Sequence, residues 1–192
     1  MIRAIYDWTL SLARHPRALW ALALIAFIES SVFPIPPDVL IIAMVVARPS
    51  RAFVIAGVAT VASVAGGLFG YWIGAVAFEG LGRPVLEFYG KDAYFESFQQ
   101  RYNDWGAWVV LIAGVTPFPY KVITILSGVT SLSLPVFLVA SLVARGIRFF
   151  VVAALLWKFG APIRDFIERR LGLMFTLFMA LLLGGFLAIR VL

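Results

Sequence analysis

Glu29-Ser30-Ser31-Val32-Phe33-Pro34-Ile35-Pro36-Pro37-Asp38 places two acids and three prolines inside an otherwise apolar run from Ala18 to Ala47. A charge at the centre of a bilayer costs about 2.5 to 3.5 kcal/mol on the insertion scale, and proline removes backbone donors that lipid cannot replace. The helical arm from Ala18 to Phe33 would rise roughly 24 Å and the arm from Val39 to Ala47 only roughly 14 Å, at about 1.5 Å per residue. The second arm is too short for a hydrocarbon core of about 30 Å. The stretch therefore predicts a hairpin that enters the membrane, turns at Pro34, Pro36 and Pro37, and leaves on the side it came from. Arg48-Pro49-Ser50-Arg51 marks the exit.

Composition agrees with a membrane setting. Of 192 residues, 62% are hydrophobic and 14% charged, and the mean hydropathy is +0.98, beyond the apolar share of a soluble domain. Roughly three spans of about 20 residues fit, with little chain left for a soluble domain. The net charge of +6 comes from short basic clusters between apolar runs, which fits anionic headgroups facing the positive-inside loops and argues against nucleic acid. With no cysteine and one histidine, there is no disulfide framework, no thiol nucleophile and no metal-ligand cluster, so no metal and no cofactor are expected.

Outward from the first hairpin the chain divides into three parts. Residues 1–17, with Ile5, Trp8 and Leu12 interleaved with Arg3, Asp7 and Arg14, read as an interfacial amphipathic helix. Residues 18–160 form the membrane domain, and 161–192 an interfacial segment followed by a C-terminal transmembrane helix. Within the domain, Ala52 to Phe78 is a full span carrying Gly66, Gly70 and Gly74 four residues apart, a small-residue face for close helix packing. Glu79 to Asp104 holds five acids and three basic residues and, with Phe95, Phe98, Tyr102 and Trp105 at spacings of three and four, reads as a helix resting on the membrane face. Trp105 to Val129 repeats the opening pattern around Thr116-Pro117-Phe118-Pro119-Tyr120-Lys121, a second hairpin with Pro117 and Pro119 at its tip and neither arm long enough to span. Pro135 to Trp157 is a span that carries Arg145 and Arg148.

Charge sets the orientation. A cytoplasmic N-terminus and two re-entrant hairpins put Arg3, Arg14, Arg17, Arg48, Arg51, Lys158, Arg164, Arg169 and Arg170 inside, and the acidic segment outside. The expected fold is an all-α integral membrane protein. It has two oppositely oriented re-entrant hairpins, each followed by a transmembrane helix, in an inverted repeat. Paired interrupted segments of this kind point to a transporter's binding site.

Hairpin tips entering from opposite faces meet near the midplane, which brings Glu29 and Asp38 toward Lys121, with Arg145 and Arg148 three residues apart on one helix face. Five unpaired charges there would cost roughly 12 to 18 kcal/mol, as much as a domain's whole stability. They must compensate one another or line a wet cavity. Two acids against three bases leave a positive excess that suits an anion, and arginine forks bind phosphate oxygens in bidentate fashion. Glu29 and Asp38 are the proton-linked candidates, Glu29 foremost, because burial and a nearby cation act on its carboxyl in opposite directions and substrate entry tips the balance. Lys121, Arg145 and Arg148 are the substrate-binding candidates.

At these residues the chain resembles the DedA superfamily, also described by its VTT or SNARE-associated Golgi domain, and most closely its YqaA-like bacterial branch. The resemblance covers roughly Ala18 to Gly160. It rests on Glu29 before Phe33-Pro34-Ile35-Pro36-Pro37-Asp38, on Gly66-Gly67, Gly70-Tyr71 and Gly74, on Thr116 to Lys121 followed by Gly128, and on Arg145 and Arg148 before Phe149-Phe150. It implies facing re-entrant hairpins, a bacterial inner-membrane location and lipid translocation, with undecaprenyl phosphate recycling in bacterial relatives and phospholipid scrambling in eukaryotic ones. It also implies that the acids of the first hairpin and the bases of the second half matter for activity. Where many relatives carry an Arg-Phe-x-Pro-x-x-Arg motif, this chain has Thr116 and a single Lys121, which moves weight onto Arg145 and Arg148.

The leading expectation is thus a transporter or flippase of an anionic lipid, a polyprenyl phosphate, coupled to protons, with lipid and membrane as partners and a homo-oligomer compatible with the sequence. The alternatives are a phospholipid scramblase without coupling, a small-ion transporter and a structural membrane factor. An intramembrane hydrolase is disfavoured, because Ser30, Ser31 or Ser127 would be the nucleophile and His15 lies too far off to serve as base. No enzyme activity is expected.

Overall fold

The computed structural model describes residues 17–32, 36–116 and 118–160. The N-terminal helix expected over residues 1–16, the C-terminal segment 161–192, and the tip residues Pro34 and Pro117 lie outside the described residues. The described residues are helical, without strands. In chain order they form α1 (Ala18–Ser31), α2 (Pro37–Ala47), a 3-10 turn (Pro49–Arg51), α3 (Ala52–Ala77), a π turn (Phe78–Gly82), α4 (Arg83–Tyr89), α5 (Asp92–Val115), α6 (Tyr120–Val129) and α7 (Leu134–Phe159).

Proline sets the breaks. Pro37 opens α2 as its first residue, where its missing N–H is no loss, and Pro36 before it is extended. Pro119 is the extended residue before α6. With 14, 11 and 10 residues, α1, α2 and α6 reach only about 21, 16 and 15 Å. None of the three crosses a bilayer alone. α3 and α7, with 26 residues each, reach about 39 Å and are long and apolar enough to cross.

α5 departs from the sequence reading. The polar segment and the first arm of the second hairpin are one helix of 24 residues, Asp92–Val115, about 36 Å long. Composition changes near Trp105 from polar to apolar, but no residue there stops a helix. Gly106, at the junction, costs about 1 kcal/mol of propensity, and its missing side chain makes room for Leu132. The polar half does more than rest on a surface: Tyr102 is buried, and its hydroxyl lies 3.0 Å from Ser127 Oγ on α6.

α3 is the central helix, packed against α1, α6 and α7. Its glycines are the seats of both short helices. A Cβ on Gly66 would strike the carbonyl of Phe27 in α1, one on Gly74 the carbonyl of Ile125 in α6, and one on Gly70 would meet Thr124 of α6 and the Ser30 carbonyl of α1. The expected close-packing face is therefore present and receives two helices, backbone against backbone. Phe53 on α3 stacks on Phe150 and contacts Trp157 near the end of α7, while Gly67 meets Phe137 near its start, so α3 and α7 run antiparallel.

Two apolar clusters result. One joins Leu22, Leu40, Ile41, Ile55, Phe149 and Leu156; the other joins Val110, Tyr120, Leu132 and Phe137. Between them, around the middle of α3 and α7, lies a buried polar layer that includes Ser30, Ser63, Thr124, Ser141 and Arg145. Large side chains such as Phe69, Trp72, Val139, Ile147 and Val151 face outward, as on helices whose surroundings are lipid.

Candidate functional site

The helix breaks create the site by leaving backbone groups without partners. At the end of α1, Ser31 Oγ donates back to the carbonyl of Phe27 at 2.9 Å. Carbonyls beyond it are met from α6: Thr124 Oγ1 donates to Ser30 O at 3.0 Å and Lys121 Nζ to Val32 O at 3.4 Å. Thr116, the extended residue that ends α5, offers its carbonyl to Arg148 Nη1 at 2.8 Å. Carbonyls of Ser30, Val32 and Thr116 at the two breaks thus accept from side chains elsewhere in the fold.

Onto this frame are set two arginine–carboxylate pairs. Arg145 Nη2 lies 2.9 Å from Glu29 Oε2, and Arg148 Nη2 lies 2.8 Å from Asp38 Oδ2. The pairs tie one face of α7 to the two sides of the first break, Glu29 in the last turn of α1 and Asp38 in the first turn of α2. Asp38 also sits where a helix N-terminus favours negative charge.

The Arg145 pair closes into a ring. Arg145 Nε donates to Ser63 Oγ at 2.6 Å, Ser63 and Ser30 hydroxyls are 2.6 Å apart, and Ser30 Oγ donates to Glu29 Oε2 at 3.2 Å. Two aromatic rings cover the guanidinium faces, with Tyr120 at 4.9 Å and Phe149 at 4.6 Å from its carbon. Tyr120 is itself anchored by a hydrogen bond to Ser141 Oγ. Side-chain exposure separates the two pairs: 1% for Arg145 and 18% for Glu29, but 22% for both Arg148 and Asp38.

The structure brings together four of the five charged residues singled out from the sequence, and the fifth, Lys121, reaches the carbonyl of Val32 at the first break. Glu29, Asp38, Arg145 and Arg148 are paired, and Lys121, at the start of α6, has no carboxylate partner among the described residues. Pro36, Pro37 and Pro119 stand at the breaks as expected. Sequence reasoning missed Ser63, Ser30, Thr124, Tyr120 and Phe149. Ser63 lies three residues before Gly66 and Phe149 four after Arg145, so helical spacing places each on the face that matters. Among the described residues no three His, Cys, Asp or Glu side chains gather as metal ligands would. The arrangement sets two arginine forks and two carboxylates, in pairs, at the first helix break.

Comparison with known proteins agrees with this picture. The VTT domain model matches residues 35–158. An uncharacterized protein of Haemophilus influenzae is 37% identical over 168 residues, covering 85% of this chain and 87% of that protein. The uncharacterized HI0703 homolog of Histophilus somni is 38% identical over 168 residues with the same coverage. No solved structure matches the chain.

Proposed function

The chain belongs to the VTT-domain family of the DedA superfamily, a family of membrane proteins, and from that premise we propose that it carries an anionic lipid across the bacterial inner membrane. The leading substrate is a polyprenyl phosphate, such as undecaprenyl phosphate, and the coupling ion is the proton. As a carrier it makes and breaks no covalent bond.

The observation that carries this reading is the charge pattern at the two breaks. Two carboxylates are matched by two arginines, and Lys121 is left over beside them, so the junction keeps one positive charge when both acids are ionised. A phosphate monoester is the complementary ligand. The arginine forks match its oxygens, and the starts of α2 and α6 add partial positive charge.

Further support comes from helix lengths and basic residues. α2 and α6 are too short to span, and α3 and α7 are antiparallel, as two oppositely inserted hairpin-plus-span units require. Under that inverted repeat Arg17, Arg48, Arg51 and Lys158 share the cytoplasmic side, and the N-terminus is cytoplasmic. Glu29 is the proton carrier in this scheme: its Oε2 accepts from both Arg145 and Ser30, which leaves Oε1 as the atom to take up the proton while both contacts stay.

Reconstitution in liposomes tests the proposal. Labelled polyprenyl phosphate and ordinary phospholipid are followed across the bilayer with and without a pH gradient. The expected result is gradient-dependent movement of the phosphate alone. Equal movement of phospholipid regardless of gradient would replace the carrier by a scramblase.

A further inference from the structure

The two ion pairs are built differently. Arg145 is closed in by Tyr120 and Phe149 on its faces and by Ser63 and Glu29 at its edge, with 1% of its side chain exposed. A headgroup could reach it only by displacing a ring or Glu29. Arg148 is held by two single contacts, Asp38 Oδ2 and Thr116 O, each at 2.8 Å, and 22% of its side chain and of Asp38's is exposed. Asp38 can therefore leave Arg148 without being stranded in an apolar core, whereas Glu29 is bound into a ring of four groups.

The geometry points to Asp38 as a resident counter-ion that occupies the anion's place on Arg148 and gives it up when a phosphate monoester arrives. This rests on the transport reading above and adds which arginine meets the headgroup and what it releases. The exchange keeps Arg148 paired at each stage, so the site never carries an uncompensated half-buried guanidinium. It also sets a threshold: a ligand must bind Arg148 better than Asp38 does, which a dianionic phosphate with several acceptor oxygens can do and a weaker anion cannot.

The test is calorimetric titration of the full-length protein in detergent with farnesyl phosphate, with inorganic phosphate and farnesol as separate probes. Asp38→Asn should bind farnesyl phosphate more tightly on the order of tenfold, the scale of one charge-assisted hydrogen bond. Asp38→Glu should restore near wild-type affinity. Glu29→Gln removes the same charge from the neighbouring pair without opening a place on Arg148, so its gain should be clearly smaller, about threefold at most. Unchanged or weaker binding by Asp38→Asn, or an equal gain for Glu29→Gln, would overturn the exchange. Should the asparagine variant not fold, Arg148→Lys decides instead. A single ammonium replaces the fork, affinity should fall on the order of tenfold, and unchanged affinity would overturn the proposal. Inorganic phosphate binding as tightly as farnesyl phosphate would make free phosphate the ligand and leave the exchange intact. If wild type and variants bind none of the probes, the lipid-phosphate reading falls and the exchange with it. If wild type binds and transports but the variants do not separate, only the exchange falls.

Discussion

Thr124 donates its hydroxyl to the carbonyl of Ser30 at 3.0 Å, so α6 supplies a donor to the last turn of α1. The same side chain stands where a Cβ on Gly70 would be, and its methyl group contacts the space beside Gly67. Three helices thus meet at one point, α1 through a backbone carbonyl, α6 through a threonine and α3 through the absence of side chains. The ion pairs lie one layer away, held by a frame that depends on close backbone approach.

That dependence separates glycines that look alike in sequence. Gly66→Ala and Gly74→Ala would push a methyl group into the carbonyls of Phe27 and Ile125, whereas Gly57 and Gly146 face nothing within 4 Å. The first two substitutions should destabilise by about 1 to 3 kcal/mol. Gly57→Ala and Gly146→Ala should be neutral or stabilising by up to about 1 kcal/mol, since alanine is the better helix former. Unfolding of the purified protein in mixed micelles measures all four. Equal losses at all four positions would mean that propensity, not helix approach, sets the effect.

Arg145 and Glu29 should behave as a unit. Arg145→Met leaves Glu29 and Ser63 without their common donor and should cost about 3 kcal/mol, the lower end for breaking a buried pair because Glu29 keeps some exposure. The double variant Arg145→Met with Glu29→Met removes both charges and should recover most of that stability, since apolar replacement of a buried pair is often neutral. Transport should stay lost in both. Recovered transport in the double variant would show the pair to be a strut only.

Lys121 offers the opposite combination. Among the described residues its ammonium makes one hydrogen bond, a long one to Val32 O, so Lys121→Gln should change stability by no more than about 0.5 kcal/mol. Affinity for an anionic lipid should nevertheless fall severalfold, and further in Lys121→Glu, read by titration with farnesyl phosphate at low and high salt. Weakening should shrink as salt screens the charge. A stability loss as large as that of Arg145→Met would mean that the ammonium holds the fold.

Much of this was legible in the chain because prolines and buried charges are costly enough in lipid to announce themselves. Pro36, Pro37 and Pro119 mark the breaks, and Glu29, Asp38, Arg145 and Arg148 pair as compensation demanded. The two long apolar runs form α3 and α7, which are long and apolar enough to cross a membrane. The continuity of α5 was not legible, since a change from polar to apolar residues alters what surrounds a helix without interrupting its hydrogen bonds. Nor were the partners of Arg145. Ser63 and Ser30 resemble the small packing residues of any membrane helix, and nothing in the Thr116–Lys121 stretch tells that the Tyr120 ring lies against the guanidinium. Which arginine pairs with which acid depends on the rotation of α7 about its axis, and Arg145 and Arg148 share one face.

Glu29→Gln is the sharpest test of proton coupling. Glutamine keeps the shape of glutamate and retains an oxygen that can accept from Arg145 Nη2 and Ser30 Oγ, the two contacts Glu29 makes. Folding should survive, with a loss of about 1 to 2 kcal/mol because the hydrogen bond to the guanidinium is no longer between opposite charges. What glutamine cannot do is take up and release a proton. In liposomes the variant should therefore move polyprenyl phosphate only downhill, at a rate indifferent to an imposed pH gradient, while wild-type transport follows the gradient. Arg145 would then lack a charged partner at every pH, so the pH dependence of wild-type transport should be absent from the variant as well as its gradient response. A Glu29→Gln protein that still concentrates lipid phosphate against its gradient when driven by protons would remove Glu29 from the coupling path and leave Asp38 as the carboxylate to examine.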